Sequence, residues 1–70
     1  MDHAFLDAID SFIAATGLSE HRVGIIVAGN GRLVPRLRNG GRVWPDTKWR
    51  ILEKLRAERE RRNLPPEDAA

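Results

Sequence analysis

Guanidinium groups dominate the chemistry this sequence can offer. Arg32 and Arg36 stand four residues apart, so a helix would carry both on one face, each presenting a planar fork of N–H donors that matches the O6 and N7 of a guanine. Arg38, Asn39, Arg42, Thr47 and Lys48 follow, and Ser19 and His21 precede. These suit phosphate oxygens, which fix register and carry little sequence information. Nucleophilic and acid–base catalysis have little to work with. His3 and His21 are the two imidazoles, Ser11 and Ser19 the two serines, and there is no cysteine, so a triad would need a helix cap and a terminal histidine. Asp7 and Asp10 have no histidine or metal-ligand spacing beside them and read as a solvated helix face. Gly29-Asn30-Gly31 is no phosphate loop, since no Gly-Lys-Ser/Thr follows it and no strand precedes it. The expectation is a protein that is not an enzyme and holds no metal or cofactor.

The net charge of +2 conceals a strong asymmetry. Residues 1–18 carry Asp2, Asp7 and Asp10 with no Lys or Arg, while residues 19–50 carry seven basic groups against Glu20 and Asp46; residues 51–70 balance. A positive excess confined to one stretch is what a phosphate-backbone footprint requires. Seventy residues make a single small domain. The lack of cysteine excludes disulfide staples, no apolar run is long enough to span a bilayer, and Met1-Asp2-His3 lacks the basic start of a secretory signal. A soluble, cytoplasmic protein is expected, with no membrane partner.

Four helical segments must position these groups. From Asp2 or His3 to about Thr16, the residues Phe5, Leu6, Ile9, Phe12 and Ile13 form one buried stripe, and Gly17 ends the helix. Ser19 caps a second helix reaching about Ala28, with Val23, Ile26 and Val27 on one face. Gly24 in its middle costs about 1 kcal/mol relative to alanine. Either a close helix crossing compensates, or the glycine is merely tolerated. Gly29 stops this helix and Asn30 caps a third, about Gly31 to Asn39, in which Val34 and Leu37 point inward. Pro35 would then fall near the fifth helical position and remove a hydrogen bond, so the third helix must be short, start late or bend. Two helices meeting at a glycine-bearing corner, the second apolar inside and basic outside, have the sequence form of a helix-turn-helix.

After Asn39-Gly40-Gly41, Val43 or Trp44 turns inward. Pro45 opens a fourth helix with Asp46 or Thr47 as cap, and Ile51, Leu52 and Leu55 supply its inner face. Residues 56–62 read as a solvated helix end held by i, i+4 ion pairs. Asn63-Leu64-Pro65-Pro66 terminates it, giving a domain over 1–62 and a disordered tail over 63–70. The expected core is Phe5, Ile9, Phe12, Ile13, Leu18, Val23, Val27, Val34, Leu37, Ile51 and Leu55. One of Trp44 and Trp49 belongs in it; a second, exposed tryptophan would mark a contact surface.

Three stretches carry a resemblance: Phe12-Ile13-Ala14-Ala15-Thr16-Gly17-Leu18-Ser19; Gly29-Asn30 with residues 33–40; and Trp44-Pro45-Asp46-Thr47. Over roughly residues 5–58 the chain resembles the lambda-repressor-like helix-turn-helix family. Within it, the chain is similar in size and design to very short bacterial and phage regulators, including the repressors of phage anti-CRISPR operons. The resemblance implies an all-α domain of four or five helices that binds double-stranded DNA as a transcriptional repressor. With Val34 and Leu37 at the family's buried recognition-helix positions, Gly24 takes its small residue. Its base-contacting positions then fall on Asn30, Gly31, Arg32, Pro35 and Arg36. Ala28 departs from the pattern, standing where the family most often has glycine.

A homodimer on a pseudo-palindromic operator is expected on geometric grounds, because one recognition helix reads only a few base pairs. Trp49, Leu52 and Leu55 of the last helix are the candidate seam. The competing reading is a protein-interaction or antitoxin-like helical module using Trp49 and the last helix. RNA binding is disfavoured for want of an exposed aromatic platform.

Overall fold

Ile9 and Phe12 lose all their solvent exposure, and the helices arrange themselves around them. The computed structural model describes residues 3–65. It contains α1 (His3–Thr16), α2 (Glu20–Ala28), α3 (Leu33–Arg38) and α4 (Pro45–Arg61), with no strand among the described residues. The chain is therefore all-α, with α1 packed on α3 and α4, and α2 on α3 and α4. The core comprises Phe5, Ala8, Ile9 and Phe12 of α1, Val23 and Val27 of α2, Leu33, Val34 and Leu37 of α3, and Ile51 and Leu55 of α4. Ala8 completes the α1 stripe between Phe5 and Phe12. Ile13 and Leu18, expected in the core, sit at its flank and are only partly buried. Among the described residues no helix is long and apolar enough to cross a membrane.

Local chemistry sets the helix ends. Ser19 Oγ accepts the Arg22 N–H at 3.1 Å and opens α2, and Gly29 closes it at φ 65. The start of α3 differs from expectation. Asn30 caps the turn before the helix: its Oδ1 accepts the Arg32 N–H at 2.9 Å and its carbonyl the Leu33 N–H at 3.2 Å. Arg32 then takes the N-cap position. This late start makes Pro35 the third helical residue, where a missing N–H breaks no intrahelical bond. At the other end Gly40 adopts φ 87, with its N–H on the Leu37 carbonyl and the Gly41 N–H on that of Arg36 at 2.7 Å. Glycine fits that left-handed position without strain, and the paired bonds stop α3 after six residues.

Trp44, and neither Asp46 nor Thr47, is the N-cap of α4. Pro45 at the first helical position confines the preceding residue to extended backbone, here φ −63 and ψ 150, and the Trp44 carbonyl accepts the Lys48 N–H. After α4, Asn63 at φ 58 lets the Leu64 N–H reach the Arg59 carbonyl at 2.8 Å, and Leu64 packs against the core. Residues 63–65, assigned from sequence to the tail, thus fold back on the helices. The remainder of that tail, 66–70, lies outside the described residues.

Gly24 is where α2 meets the turn. Its carbonyl accepts the Asn30 N–H at 3.1 Å, and a Cβ at this position would collide with the Asn30 carbonyl oxygen. The close approach that excludes a side chain at Gly24 is thus to the turn that follows α2, where a crossing with the next helix was expected. Gly24→Ala is expected to destabilise by about 1–3 kcal/mol despite the gain in helix propensity, because the displaced Asn30 carbonyl also anchors Leu33. Thermal melting of the two proteins checks this, and an unchanged or higher midpoint would contradict it.

Candidate functional site

Apart from Arg59 and Lys48, the cations divide into three groups according to what they touch. Arg56 pairs with Glu53 and Glu60, and Arg61 and Arg62 with Glu58, each at 2.9–3.0 Å along the surface of α4. Hydrogen bonds from Arg56 and Arg61 hold the Glu53 and Glu58 carboxyls below the usual glutamate range. Arg38 is clamped between helices, its Nη2 at 2.6 Å from Asp10 of α1 and its Nε at 2.9 Å from Glu20 of α2. The Asp10 hydrogen bond, followed by that of Glu20, raises the Arg38 pKa further above the ordinary arginine value. Arg22, Arg32, Arg36, Arg42, Arg50 and Lys54 form the third group, with no carboxylate partner among the described residues.

Arg32 and Arg36 are a single turn apart, the Arg36 N–H bonding the Arg32 carbonyl at 3.1 Å, and both are exposed. Leu33, Val34 and Leu37 hold the opposite side of α3 in the core. Pro35 is exposed beside the two arginines. Asn30 and Gly31 lie in the turn and are half-buried. His21, from the first turn of α2, stands over Gly31 so closely that a Cβ there would overlap the imidazole ring. The exposed side of α3 thus carries two unneutralised forks, while Arg38, grouped with the phosphate candidates, is already engaged by two carboxylates. Asn39 and Arg42 are exposed in the loop after α3, and Thr47 and Lys48 are half-buried in the first turn of α4. Of the seam candidates, Trp49 is 65% exposed, Leu52 is half-buried, and Leu55 is inside the core and offers nothing to a partner.

Three expectations do not hold. Trp44 and Trp49 are both exposed, so neither tryptophan is in the core, and the want of an exposed aromatic, on which RNA binding was disfavoured, does not hold either; of the two residues either of which could turn inward, Val43 does so. The proline after Trp44 confines the Trp44 backbone to the extended region outside the helix and does not set the direction of its indole. Arg59, read as part of a solvated helix end, is 7% exposed. Its guanidinium donates to Ser11 Oγ and to the Pro65 carbonyl, both at 2.9 Å, and lies 6.0 Å from the centre of the Phe12 ring. Among the described residues no group of His, Cys, Asp and Glu could hold a metal ion. No protein-family model, no curated protein and no solved structure matches the chain.

Arg59→Ala is expected to cost about 2–4 kcal/mol, since it strips the donor from the Ser11 hydroxyl and the Pro65 carbonyl and uncovers Phe12. Arg38→Ala should cost about 1 kcal/mol or less, because its ion pairs are solvent-exposed and screened. Urea unfolding of both variants measures the difference, and equal losses would contradict the contrast.

Proposed function

We propose that the chain binds duplex DNA sequence-specifically through a lambda-repressor-like helix-turn-helix formed by α2, the turn and α3, and acts as a small transcriptional repressor. One observation carries this reading. Arg32 and Arg36 project from α3 a single turn apart, exposed and free of carboxylates, while Arg38, Arg56, Arg61 and Arg62 are all paired. A surface that leaves two adjacent guanidinium groups unpaired, while Arg38 two residues on is neutralised, favours a polyanionic partner. The short, core-anchored α3 supports a reading head, because rigid elements hold donors where base edges can meet them.

In this reading Arg32 and Arg36 contact base edges in the major groove, and Arg42 in the following loop meets a phosphate. Arg32→Ala and Arg36→Ala should each weaken specific binding by about 1–3 kcal/mol and relax base preference at one position. Arg42→Ala should weaken specific and random DNA alike and reduce the salt slope by about one counterion. Binding-site selection from a random duplex library, followed by salt titration of each variant, measures these effects. Parent-like affinity and base preference in both α3 variants would remove α3 as the reading head.

A homodimer on a pseudo-palindromic operator completes the proposal, with Trp49 and Leu52 in the seam. The exposed Trp49 indole supports this choice, as does a cleft of about 780 Å³ beside it, whose walls include Val27, Ala28 and Ala57. Sedimentation should find a dimer on the selected operator that Trp49→Ala weakens. A monomer both free and on DNA would remove the dimer and leave DNA binding intact.

A further inference from the structure

We infer that Trp44 is a stacking platform for a base displaced from the helical stack of duplex DNA, beside the step met by Arg36, so that the chain deforms the DNA it binds. The inference rests on the DNA-binding reading above and identifies which form of duplex the surface fits.

Trp44 is 80% exposed, and its side chain makes no cap hydrogen bond and stays out of the core. A lone exposed apolar residue means little, but this one has particular neighbours. Together with Asn30, Arg36, Arg42 and Thr47 it borders a cleft of about 290 Å³ whose lining contains no carboxylate. Both arginines are without an ion pair among the described residues. The exposed Trp49 borders one cleft that includes Glu53 and another that, like the Trp44 cleft, includes Arg42 and no carboxylate; what marks Trp44 is that it shares its cleft with Arg36 of the proposed reading head.

The surrounding backbone is fixed. Pro45 follows Trp44, the Trp44 carbonyl holds the Lys48 N–H, and the Gly41 N–H ties the start of the loop to the Arg36 carbonyl. Such a frame holds the backbone that carries the indole in place before a partner arrives. The cleft lies at the lower limit of ligand pockets, roughly 300 Å³, which suits one planar ring better than a folded element. An indole face flanked by two cations fits a nucleobase between its own phosphates, since the ring stacks and the arginines take the charge. An acidic peptide would satisfy the arginines and bring no planar ring, while a neutral peptide would leave both cations unpaired. Within a duplex the base must be partly unstacked, which flexible pyrimidine–purine steps permit most readily.

The test compares a mixed-sequence duplex with the same duplex carrying one unpaired, bulged adenine. The fluorescence of the unmodified protein less that of Trp44→Phe isolates the Trp44 signal, since the chain has two tryptophans, and this difference should be quenched on binding either duplex. The unmodified protein should prefer the bulged duplex by about 5- to 100-fold. Trp44→Ala should lose that preference and bind the intact duplex more weakly with an unchanged salt slope, because no charge is removed. Trp44→Phe should keep most of the preference, and melting curves verify that each variant folds.

Equal affinity for the two duplexes, or a preference that survives Trp44→Ala, would overturn the inference. If Arg32→Ala and Arg36→Ala still impair binding in that case, the DNA reading stands without it. Binding to neither duplex at low salt would overturn both. Tight binding to single strands alone would overturn the assignment to duplex DNA.

Discussion

The meeting of two backbones at Gly24 and Asn30 is the constraint on which the rest of the structure depends. Because α2 has no side chain there, the turn approaches until the Asn30 N–H bonds the Gly24 carbonyl, and the Asn30 carbonyl is left directed at the start of α3. That contact fixes where α3 begins, and with it which residues face inward. Leu33, Val34 and Leu37 enter the core as a consequence, and Arg32, Pro35 and Arg36 are left outside. The cost of a mid-helix glycine is therefore offset by a local hydrogen bond that closes α2 and by the burial it allows.

Electrostatics then separates cations that hold the fold from cations left available. Arg38 joins three helices through Asp10 and Glu20, and Arg59 fastens α4 to α1 without a carboxylate among the described residues. The buried guanidinium sits in the last turn of α4, where the carbonyl end of a helix favours positive charge. Phe12 adds its ring face, with Arg62 also within 5.9 Å of its centre. Asp10 of α1 and Glu20 of α2 are thereby engaged by the scaffold. The unpaired arginines of α3 and the loop after it remain unneutralised.

Much of the fold was legible because its signals are local. Ser19, Gly29, Gly40 and Pro45 act within a turn or so of themselves, and the apolar periodicity of α1 needs no partner to be recognised. Pro35 was legible in a stricter sense, since it required a short or late third helix and α3 is both. The remainder depends on residues far apart in sequence. Nothing near Arg38 announces Asp10, 28 residues away, and nothing in a run of charged residues distinguishes Arg59 from its neighbours. Of the candidate site, the exposure and spacing of Arg32 and Arg36 followed from the buried positions of α3. The exposure of Trp44 did not, because a tryptophan in a small domain is expected to be largely buried and the proline after it fixes its backbone, not the direction of its indole.

The Arg59–Ser11 hydrogen bond joins positions 48 residues apart and covers Phe12, so the first helix depends on almost the last part of the domain. Chains are synthesised from the N-terminal side, and α1 therefore leaves the ribosome with Phe5, Ile9 and Phe12 uncovered. The α2–turn–α3 unit can form early, since its contacts close short loops. The α1–α4 contact must wait for loop closure over most of the domain. Interrupted translation would thus release a fragment that carries α2, the turn and α3 but leaves Phe5, Ile9 and Phe12 without the cover that α4 supplies.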